Sequence, residues 1–329
     1  MNELVTRAQT FVSQVYLPDV LAIASFYKEW FTYGEGLGNF MAYGDYTDQS
    51  LTDVASYFFP RGIILGRDLS TIHPLDPKFI TESVAHSWYD YSDGNQATLH
   101  PSVGETNAKY SGPKPPYDFL KTDEKYSWIK SPRYDGKAME VGPLARTLIN
   151  YASGNVETKK LVDSTLAKLS LPPTALFSTM GRIAARALEA QIMVNQLSTM
   201  VAKLDDNMAH GNITIHNGDM WNPDSWPKNA AGVGFHEAPR GSLGHWVEIE
   251  NKKIVNYQCV VPSTWNAGPR DASGQRGAYE AALQGTPISD PERPLEILRT
   301  VHSFDPCLAC AVHVVSANGT LYGRRPPTF

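Results

Sequence analysis

Cysteine is scarce in this chain: there are three in 329 residues, Cys259, Cys307 and Cys310. So few, and odd in number, they cannot build a disulfide framework for a chain of this length, and reduced or metal-bound thiols are expected. Long apolar runs are missing too. None approaches the roughly 20 residues that span a bilayer, and the opening, with Met1, Glu3, Arg7 and Gln9, holds no hydrophobic stretch of the kind a secretory leader needs. Basic residues do not cluster, and a net charge of -5 leaves no electrostatic footprint for nucleic acid. Internal repeats and low-complexity tracts are absent. Gly34, Gly36 and Gly38 suggest a phosphate-binding fingerprint, but position 39 is asparagine, so a loop is the better reading.

What is present is core material: 42% of the residues are apolar, enough for one large or two ordinary domains. Leu4, Ala8, Phe11, Val12 and Val15 recur at helical spacing, which predicts an amphipathic helix that Pro18 interrupts or restarts. From Met41 to about Tyr134, tyrosine, glycine, proline and aspartate point to small strands and long ordered loops, with His73, His86 and His100 as ordinary histidines. Helices are predicted over 138–152, closed by Gly154, and over 156–169. After Pro172 and Pro173, Thr174 is expected to cap a long helix. Its Leu176, Met180, Ile183, Ala187, Ala190, Val194, Leu197, Val201 and Leu204 form the buried seam of a bundle. Strand-like pieces follow at 212–216, 246–249 and 253–261, and 291–302 reads as a short helix. The expected fold class is mainly α with small β-sheets (α+β), built on a helical bundle, with no composition break that marks an independent domain.

The densest chemistry lies in nine residues, Asp305-Pro306-Cys307-Leu308-Ala309-Cys310-Ala311-Val312-His313. Cysteines at i and i+3 let one turn aim both sulfurs at a point, and thiolates select soft or borderline metals. His313 could bind the same metal or a neighbouring one. A c-type haem would need its histidine where Ala311 stands. A closed zinc site needs four protein ligands, and only Cys259 is left to help. A thioredoxin-like pair would open a helix inside a βαβ unit rather than lie so near the end of the chain. Inert cysteines and a zinc site remain as alternatives.

The run His302 to His313 resembles the C-terminal metal motif of nickel-iron hydrogenase large subunits. Phe235-His236-Glu237-Ala238-Pro239-Arg240-Gly241, Tyr257 through Arg270, and Lys137 through Arg146 resemble the same family, and together they span most of the chain. The resemblance implies the helical-bundle core of that family's large-subunit fold, incomplete at the N-terminus. Residues 1–313 would be the C-terminal part of the catalytic domain, and 314–329 a maturation tail removed after His313. The implied cofactors are nickel, iron carrying carbon monoxide and cyanide, and magnesium.

Residue by residue, Cys307 resembles the terminal nickel ligand and Cys310 the thiolate shared by nickel and iron. His313 resembles a ligand of the magnesium-like ion, to which the backbone carbonyl of Cys259 also contributes. Arg240 resembles the arginine poised above the metal pair, and Asp305 the carboxylate that orients it by charge-assisted hydrogen bonding. Pro239, Leu243, Val261 and Pro262 resemble the apolar pocket around carbon monoxide. Ser263 and the Arg240 backbone resemble donors to the cyanides. The family's other cysteine pair, its proton-passing glutamate and the acidic magnesium ligand belong to an N-terminal half that these residues do not contain.

The function implied is the C-terminal part of the catalytic subunit of an uptake hydrogenase, oxidising H2 reversibly and heterolytically, with Arg240 or a thiolate taking the proton. The chain alone is expected to be inactive. Implied partners are an iron-sulfur small subunit, a maturation endopeptidase and nickel-insertion chaperones, with the membrane reached only through partner subunits. The implied location is the periplasmic side of the cytoplasmic membrane, by co-export with the small subunit. Three rivals stand beside this reading: a non-enzymatic relative, which would have lost the cysteines; a hydrogen-sensing regulator, which would end at the histidine; and a zinc-binding structural module.

Overall fold

A computed structural model describes the chain except at residues 48–51, 93–97, 113–120, 217, 308–313, 316–320 and 323–329. Helix α1 (Asn2–Phe11) continues through a π-helical segment, Val12–Tyr16, into α2 (Leu17–Phe26). Pro18 therefore does not interrupt the helix. It sits in the first turn of α2, and the widened π turn upstream removes the carbonyl clash that a proline ring would cause in a regular helix. Val5, Val12, Val20 and Ala24 form the buried face. Leu4, Phe11 and Val15, expected on the apolar side, are exposed.

Helix α3 (Pro143–Ala152) starts later than expected. Pro143 takes its first turn, where a missing N–H costs nothing, and Glu140 before it bridges to Phe40 as extended chain. Helix α4 (Val156–Leu169) matches expectation, capped by Asn155. The long helix α5 (Thr179–Ala209) is capped by Ser178, whose hydroxyl accepts the Gly181 N–H at 2.9 Å, while Thr174 lies in a short 3-10 turn, Pro173–Leu176. Met180, Ala187, Val194 and Val201 are buried along α5 as the seam predicts, and Leu204 near its end is exposed. Helices α3, α4 and α5 close over Leu148, Ile149, Val162, Leu166 and Leu188.

The strands are short and antiparallel. β1 (Phe40–Ala42) pairs β2 (Gly62–Ile64), and β3 (Ile80–Ser83) lies between β5 (Thr98–Leu99) and β7 (Ser131–Tyr134). β4 (Tyr89–Tyr91) pairs β6 (Thr106–Ala108). A three-stranded meander follows, β8 (Ala230–Ala238), β9 (Gly241–Glu250) and β10 (Lys253–Val260), with β9 in the middle. The strand expected at 212–216 does not form; that stretch is exposed and without regular structure, and the sheet begins at Ala230. Short helices α6 (Pro262–Ala267), α7 (Ala278–Leu283) and α8 (Leu295–His302) lead to the cysteine motif, and β11 (Val314–Val315) pairs β12 (Leu321–Tyr322) beyond it. A second core, with Met41, Tyr43, Ile63, Met139, Trp246, Val260 and Trp265, joins the meander to the small sheets. Among the described residues no helix is long and apolar enough to cross a membrane.

Candidate metal centre

Pro239 and Arg240 form the two-residue connection between β8 and β9, whose last ladder pair is Ala238 with Gly241. The start of α3 lies directly against this turn. A Cβ on Gly142 (φ +121°) would stand 2.8 Å from the Arg240 carbonyl oxygen, and one on Gly241 (φ +131°) would stand 2.6 Å from the Gly142 nitrogen. Both positions thus need glycine for backbone conformation and for close approach. From this turn Arg240 reaches across 65 residues of sequence: its Nε donates to the Asp305 carbonyl oxygen at 2.8 Å, and lies 3.5 Å from the Asp305 carboxylate. The two residues are brought together, but the hydrogen bond runs to the Asp305 main chain and not, as expected, to its carboxylate.

Behind the turn lies Arg146 of α3, buried and fully used. It donates to the carbonyls of Ala238 and Pro239, both at 2.9 Å, to Glu237 at 2.8 Å, and to both oxygens of Glu189 at 2.7 and 3.0 Å. Burial opposes its charge, but Glu189 and Glu237 outweigh that and hold its pKa above the ordinary arginine value. Glu237 is fully buried, and burial pushes its carboxyl up against the pull of Arg146, the Ser242 hydroxyl and the Tyr43 amide. Its oxygens accept the Tyr43 N–H and the Ser242 hydroxyl at 2.7 Å each. Glu237 is therefore a structural anchor. His236 points outward and pairs Asp45 at 2.8 Å.

The Asp305 end is set by α8 and α5. Arg182 on α5 forms a two-point pair with Glu140, at 2.7 and 2.8 Å, and stacks over the Phe304 ring at 4.0 Å. One turn on, Arg186 donates to the Ser303 carbonyl at 3.1 Å. Burial and the Asp305 charge raise the pKa of the Tyr279 phenol on α7, which also senses Arg240, Arg186 and Cys307. Cys307 follows as a free, exposed thiol. Cys310 and His313 lie outside the described residues.

Cys259 lies on β10 opposite His245, with Sγ 3.3 Å from His245 Nδ1. The Tyr257 hydroxyl meets the same nitrogen. Just before Cys259, the buried Gln258 accepts from Lys130 Nζ at 3.0 Å, and Lys130 also pairs Glu82. Burial raises the Glu82 pKa against the pull of Lys130, and its Oε1 is buried with no hydrogen-bond partner among the described residues. Val260 pairs Gly244, so β10 ends beside the start of β9; Leu243, Val261, Pro262 and Ser263 therefore lie at the same end of the meander as Pro239 and Arg240. Pro262 is buried, Leu243, Val261 and Ser263 are half-buried and Pro239 is exposed. Among the described residues no three His, Cys, Asp or Glu side chains form a metal site by themselves.

Sequence reasoning passed over Arg146, Arg186, Glu189, Tyr279, Glu82, Lys130 and Gln258. Two signals were available: Arg146 closes the Lys137–Arg146 motif, and Arg182 and Arg186 stand one turn apart beside the apolar seam of α5. Glu82 and Lys130 carry no local pattern, since only the tertiary fold brings them to Gln258.

The family profile of the nickel-dependent hydrogenases matches residues 1–313. The chain is 50% identical to the uptake hydrogenase large subunit of Bradyrhizobium diazoefficiens over 97% of its own length and 55% of that protein. It is 45% identical to the hydrogenase-1 large chain of Escherichia coli, again over 97% of the chain and 55% of the relative. Among solved structures it is similar to a [NiFeSe]-hydrogenase of Dm. baculatum, with 33% identity and a TM-score of 0.73, covering 94% of this chain and 58% of that one. A Ni-Fe-Se hydrogenase from D. vulgaris Hildenborough gives the same identity and TM-score, over 94% and 60%. The chain spans about half the length of the curated relatives it matches.

Proposed function

The chain belongs to the nickel-dependent hydrogenase family, and from that premise we propose that it forms the C-terminal part of the catalytic subunit of an uptake hydrogenase, oxidising H2 to protons and electrons. The observation that carries this reading is the contact between Arg240 and Asp305, two residues before a free, exposed thiol at Cys307. A structural salt bridge needs no open thiol beside it, and a zinc module needs no arginine.

The donor set fits the metals. Cys307 offers a soft sulfur that no disulfide consumes, and Cys310 would supply a second thiolate to hold the nickel-iron pair. Glu82 Oε1, buried without a donor beside Lys130 and Gln258, fits a hydrated divalent cation near the Cys259 carbonyl, since cation-bound water would supply the missing hydrogen bond. His313 would complete that site. When bound, the nickel-iron pair supplies the redox chemistry that accepts the electrons of H2. The protein's part is positional. The Asp305 carbonyl fixes Arg240 Nε, and among the described residues no partner engages the two terminal guanidinium nitrogens. Those N–H groups would be left to donate toward the reacting site, where a fixed positive charge would hold an anionic ligand or stabilise developing negative charge. Ser263, at the start of α6, would donate to a cyanide, and Leu243, Val261, Pro262 and Pro239 would exclude water around carbon monoxide.

The partners follow from the same reading: an iron-sulfur small subunit to carry electrons away, nickel-insertion chaperones, and an endopeptidase that removes residues 314–329. Co-export with the small subunit would place the complex on the periplasmic side of the membrane. The test compares nickel content and H2-dependent dye reduction in the 329-residue chain and in a full-length subunit assembled with its small subunit. The chain alone, with two of the family's four nickel thiolates, is expected to lack both; the assembled enzyme is expected to show both. A nickel-loaded assembly that reduces no dye with H2 overturns the proposal.

A further inference from the structure

The turn that carries the chain from α8 to Cys307 is gripped from two sides by arginines. Arg240 takes the Asp305 carbonyl at 2.8 Å. From α5, Arg186 Nη2 takes the Ser303 carbonyl at 3.1 Å. Between the two carbonyls the backbone passes through Asp305 at φ +54°, a left-handed conformation that costs a non-glycine residue on the order of 1 kcal/mol.

The turn's own bonds do not fix it. Phe304 N donates to Val301 O at 3.1 Å, Asp305 N to His302 O at 2.9 Å, and Ser303 Oγ to Thr300 O at 2.6 Å, all within the last turn of α8. They move with that helix end. The arginine contacts come from other elements and tie the turn to the rest of the molecule. Arg182 and Arg186, four residues apart on one face of α5, meet successive residues: Arg182 stacks over Phe304, and Arg186 binds Ser303. Arg182 is neutralised by Glu140, whereas the charged groups that act on Arg186 are Asp305, Glu189 and Arg146, with the neutral Tyr16 phenol beside them. Burial lowers its pKa, with Asp305 pulling the other way. Arg186 is half-buried, and its one hydrogen bond among the described residues is to this main-chain oxygen.

We propose that Arg186 is a positioning residue for the metal centre: with Arg240 it clamps the Ser303–Asp305 turn and so sets the direction in which Cys307 leaves α8. The clamp is a property of this chain, and its consequence for turnover rests on the hydrogenase reading.

Two measurements test it. In the 329-residue chain, amide hydrogen exchange is followed over 303–307, with α3 as internal control. Arg186→Met, which removes both fork and charge, is expected to speed exchange at Phe304 and Asp305 by about tenfold, with α3 unchanged. Arg186→Lys, which keeps the charge without the fork, should fall between. Parent-like exchange over 303–307 in Arg186→Met overturns the proposal. Should that variant not fold, Arg186→Lys is read in the same way, and failure of both to fold also overturns it, since the residue is then only structural. In the assembled full-length enzyme, Arg186→Met should keep its nickel, lower kcat by roughly tenfold or more with KM for H2 unchanged, and shift the infrared bands of the iron-bound carbon monoxide and cyanide. Unchanged bands with kcat within about twofold overturn it. A parent enzyme without H2 oxidation would sink the hydrogenase reading and leave the exchange result to decide the clamp.

Discussion

Arg240 is bound more closely to the main chain of Asp305 than to its carboxylate: Nε stands 2.8 Å from the carbonyl oxygen and 3.5 Å from Oδ2. The carbonyl fixes position, while the carboxylate supplies charge. The two contacts can be separated by substitution, because Asp305→Asn keeps the first and removes the second.

In the assembled full-length enzyme, Arg240→Lys is therefore expected to slow H2 oxidation by about a hundredfold or more, with nickel content within about twofold of the parent. Lysine keeps the charge and loses the planar fork. Asp305→Asn should be milder, about tenfold, since the main-chain bond persists. Activity per nickel near the parent value in Arg240→Lys would make Arg240 merely structural.

Arg146→Met should destabilise the chain by about 3–5 kcal/mol, because it leaves Glu237 buried without a counter-charge and frees the Ala238 and Pro239 carbonyls. Urea unfolding measures the loss. Arg146→Met combined with Glu237→Gln should recover part of it, since the uncompensated carboxylate is then gone. Equal stability of the single and double variants would show that the loss is packing alone.

The helices were legible because their signals are local. Gly154 marks the end of α3 and the apolar repeat carries α4, and the seam of α5 follows from spacing along one element. The start of α5 was misplaced because Thr174 and Ser178 are equally good caps by composition. The packing of Leu176 and Phe177 into the core decides for Ser178. Likewise Pro18 reads as a break until a π turn, which has no composition signature, accommodates it. Arg240 and Asp305 could be paired from the sequence only through family resemblance. The residues that hold them, Arg146 and Arg186, are visible once the fold shows which carbonyls need donors.

The pH dependence of stability has a definite sign at Asp271. Burial opposes its ionisation, but the Ser273 hydroxyl, Arg133 and the Gln275 amide outweigh burial and hold its pKa below the usual carboxylate range. Its oxygens accept from Arg133 Nε at 2.6 Å, Ser273 Oγ at 2.7 Å and Gln275 N at 3.0 Å. A depressed folded pKa gives stability that is fully present above the unfolded value of about 3.9. It disappears as pH falls through the folded value. Asp271→Asn should cost about 3 kcal/mol at pH 7, and the gap to the parent should narrow as pH falls below about 4. A gap that stays constant down to acid unfolding would contradict the assignment.

The segment Val314–Phe329 is expected to be cut away after His313 once nickel is in place. His313 can offer its ring to a magnesium-like ion beside Cys259 only if the chain end folds inward. A continuing tail that carries Arg324 and Arg325 cannot follow without burying two charges. Before cutting, the tail would hold the Cys307–Cys310 loop open for metal loading; after cutting, the new carboxyl end would let it close. Val314–Val315 pairs with Leu321–Tyr322, so the cut would take both strands of that pairing together. Intact mass of the full-length subunit, expressed with and without nickel and with and without its endopeptidase, decides the matter. The nickel-loaded, active form should be shorter by the mass of residues 314–329, and the nickel-free form should keep them. An active, nickel-loaded subunit that still carries Phe329 would show that closure of the site does not depend on the cut.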